Sequence, residues 1–165
     1  MRIRRAGPED APALLRLIEA LAEFEGEPEA VTLTANQLAE DLTLSPDGPS
    51  TVVWIAMHED TGAAVGLCFC YWAYSTWKGR TFYLEDLYVA PAYRRHGLGT
   101  QMLHQVFEYA LARKAARIAW QVLDWNAAAI AFYHKTGAEL DGGWINVRFQ
   151  EGRLEALERQ MHKST

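Results

Sequence analysis

The stretch EDLYVAPAYRRHGLGTQML, residues 85 to 103, decides the fold. Two adjacent carboxylates stand on an apolar strand pattern, a basic turn broken by Gly97 and Gly99 follows, and a helix pattern begins after the turn. Successive backbone N–H groups at such a turn converge on a phosphate oxygen, and glycine allows the dihedrals and the close approach that this requires. The turn therefore predicts an anion site with Arg94 and Arg95 as its positive charge; an ordinary surface turn is the alternative.

The same turn argues against two common nucleotide-binding patterns. It matches neither GxxxxGK followed by Ser or Thr, which cradles nucleotide phosphates, nor GxGxxG, which binds dinucleotides. The hydroxyl of Thr100 can donate a further hydrogen bond to an anion. Kinase and dehydrogenase activities are therefore disfavoured, and a pyrophosphate is the ligand that the turn suits.

Hydrophobic periodicity outward from this segment predicts the element order βααβββαβαβα. The predicted strands are residues 2 to 6, 51 to 59, 64 to 74, 80 to 89, 117 to 123 and 144 to 149. The predicted helices begin at GPED (residues 7 to 10), at Thr34 with a Gln37 capping box, after Gly99, after the Asn126 cap and at residue 151. This order predicts one α/β domain over residues 1 to 165, with a mixed, mostly antiparallel sheet and helices on both faces.

Composition sets the class of protein. Half of the 165 residues are hydrophobic, which is enough for one core. The longest apolar run, residues 65 to 74, is far shorter than the roughly 17 to 25 residues that a membrane helix needs. The N-terminus lacks the apolar stretch of a secretory signal. We therefore predict a cytoplasmic protein without a membrane partner.

Charge and cysteine usage narrow the class further. The net charge is −5, divided as −8 over residues 1 to 66 and +3 over the rest, and no contiguous basic face is present, so nucleic-acid binding is disfavoured. The division suits a cation near the first half and an anion at the second, although acids that only solvate surface helices explain it equally well. Cys68 and Cys70, the only cysteines, are predicted to be core thiols on one face of a strand. Neither they nor the five histidines have metal-ligand spacing, so we predict no metal.

Four segments carry a resemblance to a known family. They are LRLIEALAEFE (15 to 25), YLEDLYVAPAYRRHGLG (83 to 99), WNAAAIAFYHKTGA (125 to 138) and the later GW at Gly143 and Trp144. The segment from Arg94 to Gly99 has the spacing Gln or Arg, two residues, Gly, one residue, Gly or Ala. With these features the chain resembles the GNAT superfamily of N-acetyltransferases. Within it, the chain is similar to the spermidine/spermine (diamine) acetyltransferase branch and its thialysine-acetylating relatives.

The resemblance implies acetyl-CoA as cosubstrate. The strand over residues 83 to 89 is expected to splay from its neighbour at a β-bulge, with the Leu87 N–H close to the acetyl carbonyl, where it stabilises the developing oxyanion. The implied cofactor contacts are Leu87, Tyr88, Val89, Arg94, Arg95, His96, Gly97, Leu98, Gly99, Thr100, Asn126, Tyr133 and Lys135.

The chemistry of amine acetylation assigns two catalytic roles. A primary amine with a pKa near 10.4 is neutral in only about one of two or three thousand molecules at pH 7, so its proton must be removed before attack. The resemblance implies that Glu85 acts as this base through water, and that Tyr133 protonates the departing thiolate of CoA. The structural alternatives are a salt-bridged strand acid for Glu85 and core packing for Tyr133.

The resemblance also implies a cationic acceptor. The residues expected around it are Phe24, Glu25, Trp77, Glu85, Asp86 and Trp144, since carboxylates attract ammonium groups and each aromatic face can add about 0.5 to 2 kcal/mol. Core packing is the alternative for the two tryptophans. The branch usually has an acid at Ser75 and a tyrosine at Phe24, so a shorter or less charged amine than a polyamine is expected.

The sequence therefore predicts an acetyl-CoA-dependent N-acetyltransferase that acts on a diamine, polyamine or thialysine-like diamino acid by direct attack in a ternary complex. A different small amine or a peptide N-terminus is the alternative acceptor. A non-catalytic acetyl-CoA-binding sensor is the alternative class of protein. The resemblance implies a homodimer.

Overall fold

A five-stranded sheet organises the first 121 residues of the protein. The computed structural model describes residues 1–43, 51–148, 153, 159 and 160. Its contacts divide the chain into two units, Met1–Gln121 and Val122–Thr165, which we describe separately. The prediction of one domain over residues 1 to 165 stays a prediction.

The elements follow the predicted order through the fourth helix. They are β1 Arg2–Arg5, α1 Ala11–Glu25, α2 Ala35–Asp41, β2 Thr51–Met57, β3 Ala64–Ser75, β4 Gly79–Val89, α3 Leu98–Ala112, β5 Arg117–Ala119 and α4 Ala127–Lys135, with short 3-10 turns at Pro8–Asp10, Pro28–Ala30 and Pro91–Tyr93. The sheet order is β1-β2-β3-β4-β5. All neighbours are antiparallel except β4 and β5, which are parallel, so the predicted mixed, mostly antiparallel sheet is confirmed.

Helices cover both faces of the sheet in the first unit. On one face, Leu14 and Leu17 of α1 and Leu38 of α2 pack in a buried cluster with Val53 and Ile55 of β2. Strand alternation turns Trp54 to the opposite face, where its ring centre lies 5.4 Å from that of Tyr109 on α3. Cys68 and Cys70 are also fully buried, as predicted, and burial raises the pKa of both thiols.

A β-bulge interrupts the pairing of β3 with β4 at the carboxylate pair. Phe69 lies opposite Asp86, whereas the next residue of β3, Cys70, lies opposite Leu84, so Glu85 is the extra residue. The β4–β5 ladder runs only from Thr81 to Tyr83 and ends two residues before the bulge. The expected splayed, bulged strand is therefore confirmed.

An ion pair fixes the start of α1. The guanidinium of Arg4 donates to both carboxylate oxygens of Asp10, at 2.6 and 2.7 Å, and the Gly7 N–H donates to the same side chain at 2.9 Å. The hydrogen bond from Arg4 is the main cause that holds the pKa of Asp10 below its usual value. The Asp10 side chain is almost fully buried, whereas 34% of the Arg4 side chain is exposed.

We expect Asp10→Asn to destabilise the protein by about 1 to 3 kcal/mol at pH 7, because Arg4 loses its charged partner. A depressed carboxyl pKa stabilises the fold above the unfolded value of 3.8, and this stabilisation is lost as the pH falls through the folded value. The difference between variant and wild type should therefore shrink towards pH 3 in urea denaturation. Asp60→Asn, at an exposed turn, is the matched control. Equal midpoints at pH 7 would contradict the prediction.

The second unit contains α4, which begins and ends as predicted. The Oδ1 atom of Asn126 accepts a hydrogen bond from the Ala129 N–H at 3.1 Å, and Gly137 follows the helix with φ of 81°. The predicted last strand is not formed over residues 144 to 148, and Phe149 lies outside the described residues. Its apolar pattern has no strand to pair with in the described part of this unit, residues 122–148, 153, 159 and 160.

Two further boundaries differ or lie outside the structure. β5 ends at Ala119 rather than at residue 123, since its register with β4 extends over only three residues. Most of the predicted terminal helix, residues 151 to 163, lies outside the described residues; of those described, 153, 159 and 160 are helical.

Candidate active site

The bulge at Glu85 changes which face of the sheet the following residues occupy. Leu84 lies opposite Cys70 and Leu87 lies opposite Cys68, so these two leucines share a face although they are three residues apart. Asp86, opposite Phe69, faces the side covered by α1. Simple alternation would separate Glu85 from Asp86, and the bulge is the feature that can bring both to one side.

Two tyrosines that the sequence reasoning missed show where Glu85 points. Tyr71 and Tyr83 are cross-strand partners with ring centres 5.1 Å apart. Burial raises the pKa of both phenols, and the negative charge of Glu85 raises it further. A hydrogen bond to Glu85 also contributes to the shift at Tyr71. This pairing depends on the register of the β3–β4 hairpin, so no residue pattern in the sequence could have found the two tyrosines.

The surroundings of Asp86 raise the pKa of its carboxyl group. It is half-buried, and burial, followed by the charges of Glu85 and Glu25, raises its pKa to about 6. Glu25 is the last residue of α1, and loss of solvent raises its pKa too. Asp86 thus lies within electrostatic range of two other carboxylates, which is a charge distribution that an ammonium ion would relieve.

The aromatic residues that were predicted to surround the amine acceptor lie in different places. Phe24 is partly exposed next to Glu25, with the guanidinium of Arg94 5.0 Å from its ring centre. Trp77 is 82% exposed in the β3–β4 turn, and the six residue steps from Gly79 to Glu85 alone span about 20 Å along β4. The structure therefore does not bring Trp77 to the three acids.

Ser75 has a structural explanation. Its Oγ accepts hydrogen bonds from the N–H groups of Trp77 and Lys78, at 3.3 and 3.2 Å. A serine that organises its own turn in this way is common in tight connections. The residue that departs from the branch pattern thus shapes the β3–β4 hairpin.

The anion turn, by which we mean residues 94 to 100, has the backbone conformation that its sequence predicts. Gly97 is the N-terminal cap of α3 with φ of 77°, and Arg95 is also left-handed at 66°. A Cβ on Gly97 would meet nothing closer than Gln101 Nε2 at 4.0 Å, so the dihedral rather than crowding requires glycine. Within residues 94 to 101, all of which the structure describes, no side chain caps the helix. Its first N–H groups are thus suited to an anionic ligand.

A second glycine, also missed from the sequence, sets the distance between α3 and the sheet. A Cβ on Gly66 of β3 would lie 3.0 Å from the Tyr88 carbonyl oxygen and 3.1 Å from the Met102 sulfur. Gly66 is the cross-strand partner of Val89, the last residue of β4. Its missing side chain therefore allows α3 to pack closely where β4 ends.

The remaining predicted residues belong to the second unit. Tyr133 is buried on α4, with its ring centre 5.3 Å from that of Phe132, and Lys135 is exposed in the last turn of the helix. Asn126 caps α4, and Trp144 is 77% exposed. The assignments of these residues to cofactor or acceptor stay predictions.

The described ranges contain no candidate metal site and no candidate membrane-spanning helix. Among those residues, no three His, Cys, Asp or Glu side chains are grouped so that they could hold a metal ion. No helix in the same part of the chain has the length and apolar character needed to cross a membrane.

Comparisons with known proteins identify the family. The acetyltransferase (GNAT) family pattern matches residues 13–138. Thialysine N-epsilon-acetyltransferase of Mus musculus is 38% identical over 163 residues, covering 94% of this chain and 96% of the mouse protein. Spermidine/spermine N(1)-acetyltransferase-like protein 1 of Homo sapiens is 34% identical over 161 residues, covering 93% of this chain and 23% of the human protein.

Solved structures agree on the fold. An aminoglycoside acetyltransferase from an uncultured soil metagenomic sample superposes with a TM-score of 0.74 at 16% identity, covering 91% of this chain and 95% of that one. The chain belongs to the acetyltransferase (GNAT) family and is an N-acetyltransferase. Its curated relatives over most of its length include thialysine and spermidine/spermine acetyltransferases, so the predicted family and branch are confirmed.

Proposed function

We propose that the protein transfers the acetyl group of acetyl-CoA to a primary amine of a small cationic acceptor. The observation that carries the proposal is the bulge, which sets Glu85 beside two phenols and beside Asp86, which itself senses the charge of Glu25. An exposed carboxylate next to a half-buried one can remove a proton while its neighbours hold the cation. Thialysine and spermidine/spermine, named for the relatives, support a diamino acid or diamine as acceptor.

The anion turn fits the diphosphate of CoA. The uncapped N-terminus of α3, with left-handed Arg95 and Gly97 before it, offers several N–H groups to one anion. In the proposed complex, the backbone N–H groups of residues 95 to 100 hold the diphosphate, and residues 87 to 89 of β4 bind the pantetheine arm. Asn126 and Lys135 bind the remainder of the cofactor.

The proposed reaction is a direct transfer without an acyl-enzyme. Glu85 accepts a proton from the bound ammonium through a water molecule, and the neutral nitrogen attacks the acetyl carbonyl carbon. The N–H of Leu87 stabilises the negative charge on the carbonyl oxygen. The C–S bond then breaks with its electron pair on sulfur, and Tyr133 gives its proton to that sulfur. The nitrogen loses its second proton, which restores the Tyr133 phenol by way of solvent water, so that a neutral amide and free CoA are the products.

An amine panel tests this function. We expect thiol release from acetyl-CoA to depend on a diamine or diamino acid, with shorter acceptors such as thialysine, lysine and ornithine preferred over spermine. Aminoglycosides and a peptide with a free N-terminus test the alternative acceptors. If acetyl-CoA raises the melting temperature but no amine releases thiol, the protein is an acetyl-CoA sensor and the enzymatic proposal fails.

Asp86→Asn should weaken the acceptor site and stabilise the fold. Loss of a charged partner for the ammonium should raise the amine KM about 10- to 100-fold. Burial raises the pKa of Asp86 from 3.8 to about 6, so its charged form destabilises the folded state above pH 6 and the penalty vanishes below pH 4. The variant should therefore gain about 3 kcal/mol at pH 8 and nothing at pH 3.5. Thermal denaturation at both pH values, with Asp60→Asn as control, measures this; a loss of stability at pH 8 would contradict it.

The proposal includes the setting of the reaction. We propose a homodimer in the cytoplasm that acts on small molecules, with no nucleic acid or membrane as partner and no metal in the reaction. Trp144, Ile145 and Val147 of the second unit are strongly exposed apolar residues, which supports an interface there. Light scattering at micromolar concentration should give twice the mass of the chain, and a monomer would contradict the homodimer.

A further inference from the structure

The side chain of Arg94 turns back from the anion turn. Its Nε–H donates to the carbonyl oxygen of Val89 at 2.7 Å, and its backbone N–H donates to Pro91 at 3.3 Å. The residue at the start of the turn is therefore tied to the last residue of β4. The Nε–H is used within the protein and is not directed at an anion.

The guanidinium of Arg94 contacts α1, the helix that ends at Glu25. Its carbon lies 5.0 Å from the ring centre of Phe24 and 5.6 Å from that of Tyr88. Phe24 immediately precedes Glu25, and Tyr88 lies two residues after Asp86 on the same strand. Alternation past the bulge places Asp86 and Tyr88 on one face. Arg94 thus holds the end of α1 against the part of β4 that carries the acceptor acids.

Its neighbour Arg95 differs in each of these respects. Arg95 is exposed, and its left-handed backbone directs its side chain differently from that of Arg94. The two arginines therefore offer a matched comparison, because each carries one positive charge at the same turn and only Arg94 contacts Phe24.

We propose that Arg94 is a positioning residue for the amine acceptor: it links the anion turn to the Phe24–Glu25 end of α1, so that a diphosphate bound at the turn strengthens amine binding. This inference rests on the proposed function. A ligand that fixes the backbone of the turn fixes the Cα position of Arg94, and through its contacts the position of Phe24 and Glu25. By linkage, the amine must strengthen donor binding by the same factor.

Substitutions at the two arginines separate this role from that of a direct phosphate ligand. Arg94→Lys keeps the charge but loses the Nε–H donor and the stacking of the planar guanidinium on Phe24. Arg94→Gln removes the charge as well. We expect both to raise the amine KM about 5- to 20-fold and to abolish the coupling between donor and amine, with CoA affinity measured without amine changed less than about twofold. Arg95→Gln should instead weaken CoA binding and leave the amine KM unchanged.

A double-mutant cycle tests the path through α1. Phe24→Leu alone should raise the amine KM, and adding it to Arg94→Lys should raise the KM no further, because the two substitutions remove one contact. Melting temperatures establish that each variant is folded. Independent, multiplicative effects on the KM would overturn the proposed link.

The outcomes distinguish this inference from the proposed function. If Arg94→Gln loses CoA affinity while the amine KM stays constant, Arg94 is a phosphate ligand and the inference is wrong. If the wild-type protein acetylates an amine and neither Arg94 variant changes its KM, the inference also fails while the proposed function stands. If the wild-type protein acetylates no amine, the proposed function itself fails. Titration calorimetry with CoA and steady-state kinetics over both substrates give every quantity required.

Discussion

Glu85→Gln should lower kcat about 10²- to 10⁴-fold at pH 7, because general-base catalysis is removed from the bulge. Without the base, only amine that is already neutral in solution can react, and its fraction rises about tenfold with each pH unit up to a pKa near 10.4. We therefore expect the pH optimum to move upward by several units. The measurement is kcat/KM for the best amine from pH 6 to pH 10.

Two controls make this result specific to the base. Glu85→Asp keeps a carboxylate one methylene shorter and should retain part of the activity with an optimum close to that of the wild type. Tyr71→Phe, which removes a hydroxyl beside Glu85 without removing the carboxylate, should change the rate much less. A variant Glu85→Gln with lowered kcat but the wild-type pH profile would refute the assignment.

Tyr133→Phe should lower kcat about 10²- to 10³-fold while CoA affinity stays nearly constant, since the departing thiolate loses its proton donor. The phenyl ring keeps the packing of this buried position, so the variant should fold normally. Stopped assays at saturating amine measure kcat, and calorimetry measures the affinity. Tyr74→Phe, on a side chain that is 75% exposed, is the matched control.

The leaving group offers an independent test of the same role. An acetyl thioester of an acidic aromatic thiol departs as a stable anion and needs no proton. The deficit of Tyr133→Phe should therefore nearly disappear with such a donor, if the donor binds. A large loss of CoA affinity at normal kcat would show instead that Tyr133 only binds the cofactor.

The fold was largely predictable because its signals are local. The near-continuous apolar run of residues 65 to 74, the Thr34–Gln37 capping box and the glycine-broken turn are local patterns, and the strand, the cap and the turn that they predict are confirmed. The last strand was predicted wrongly because alternation over residues 144 to 148 indicates a strand only where a partner strand is present. The length of β5 was overpredicted for the same reason, because it depends on how far the strand pairs with β4.

The site was less predictable because it depends on register. Alternation from the residues alone would separate Glu85 from Asp86; the family resemblance supplied the bulge, and the structure locates it. No residue pattern indicated the contacts of Tyr71 and Tyr83 with Glu85, or the return of the Arg94 side chain to Val89. Trp77 was expected near the acceptor; it lies in the turn before β4, and its role stays a prediction.

The burial of Cys68 and Cys70 has a practical consequence for measuring the enzyme. They are the only sulfhydryls of the chain, and both are inaccessible and strongly disfavoured as nucleophilic anions. A disulfide dye added to the native protein should therefore give almost no background colour, so a continuous optical assay records the product alone. A burst of two equivalents of colour would signal that the enzyme is denaturing in the cuvette.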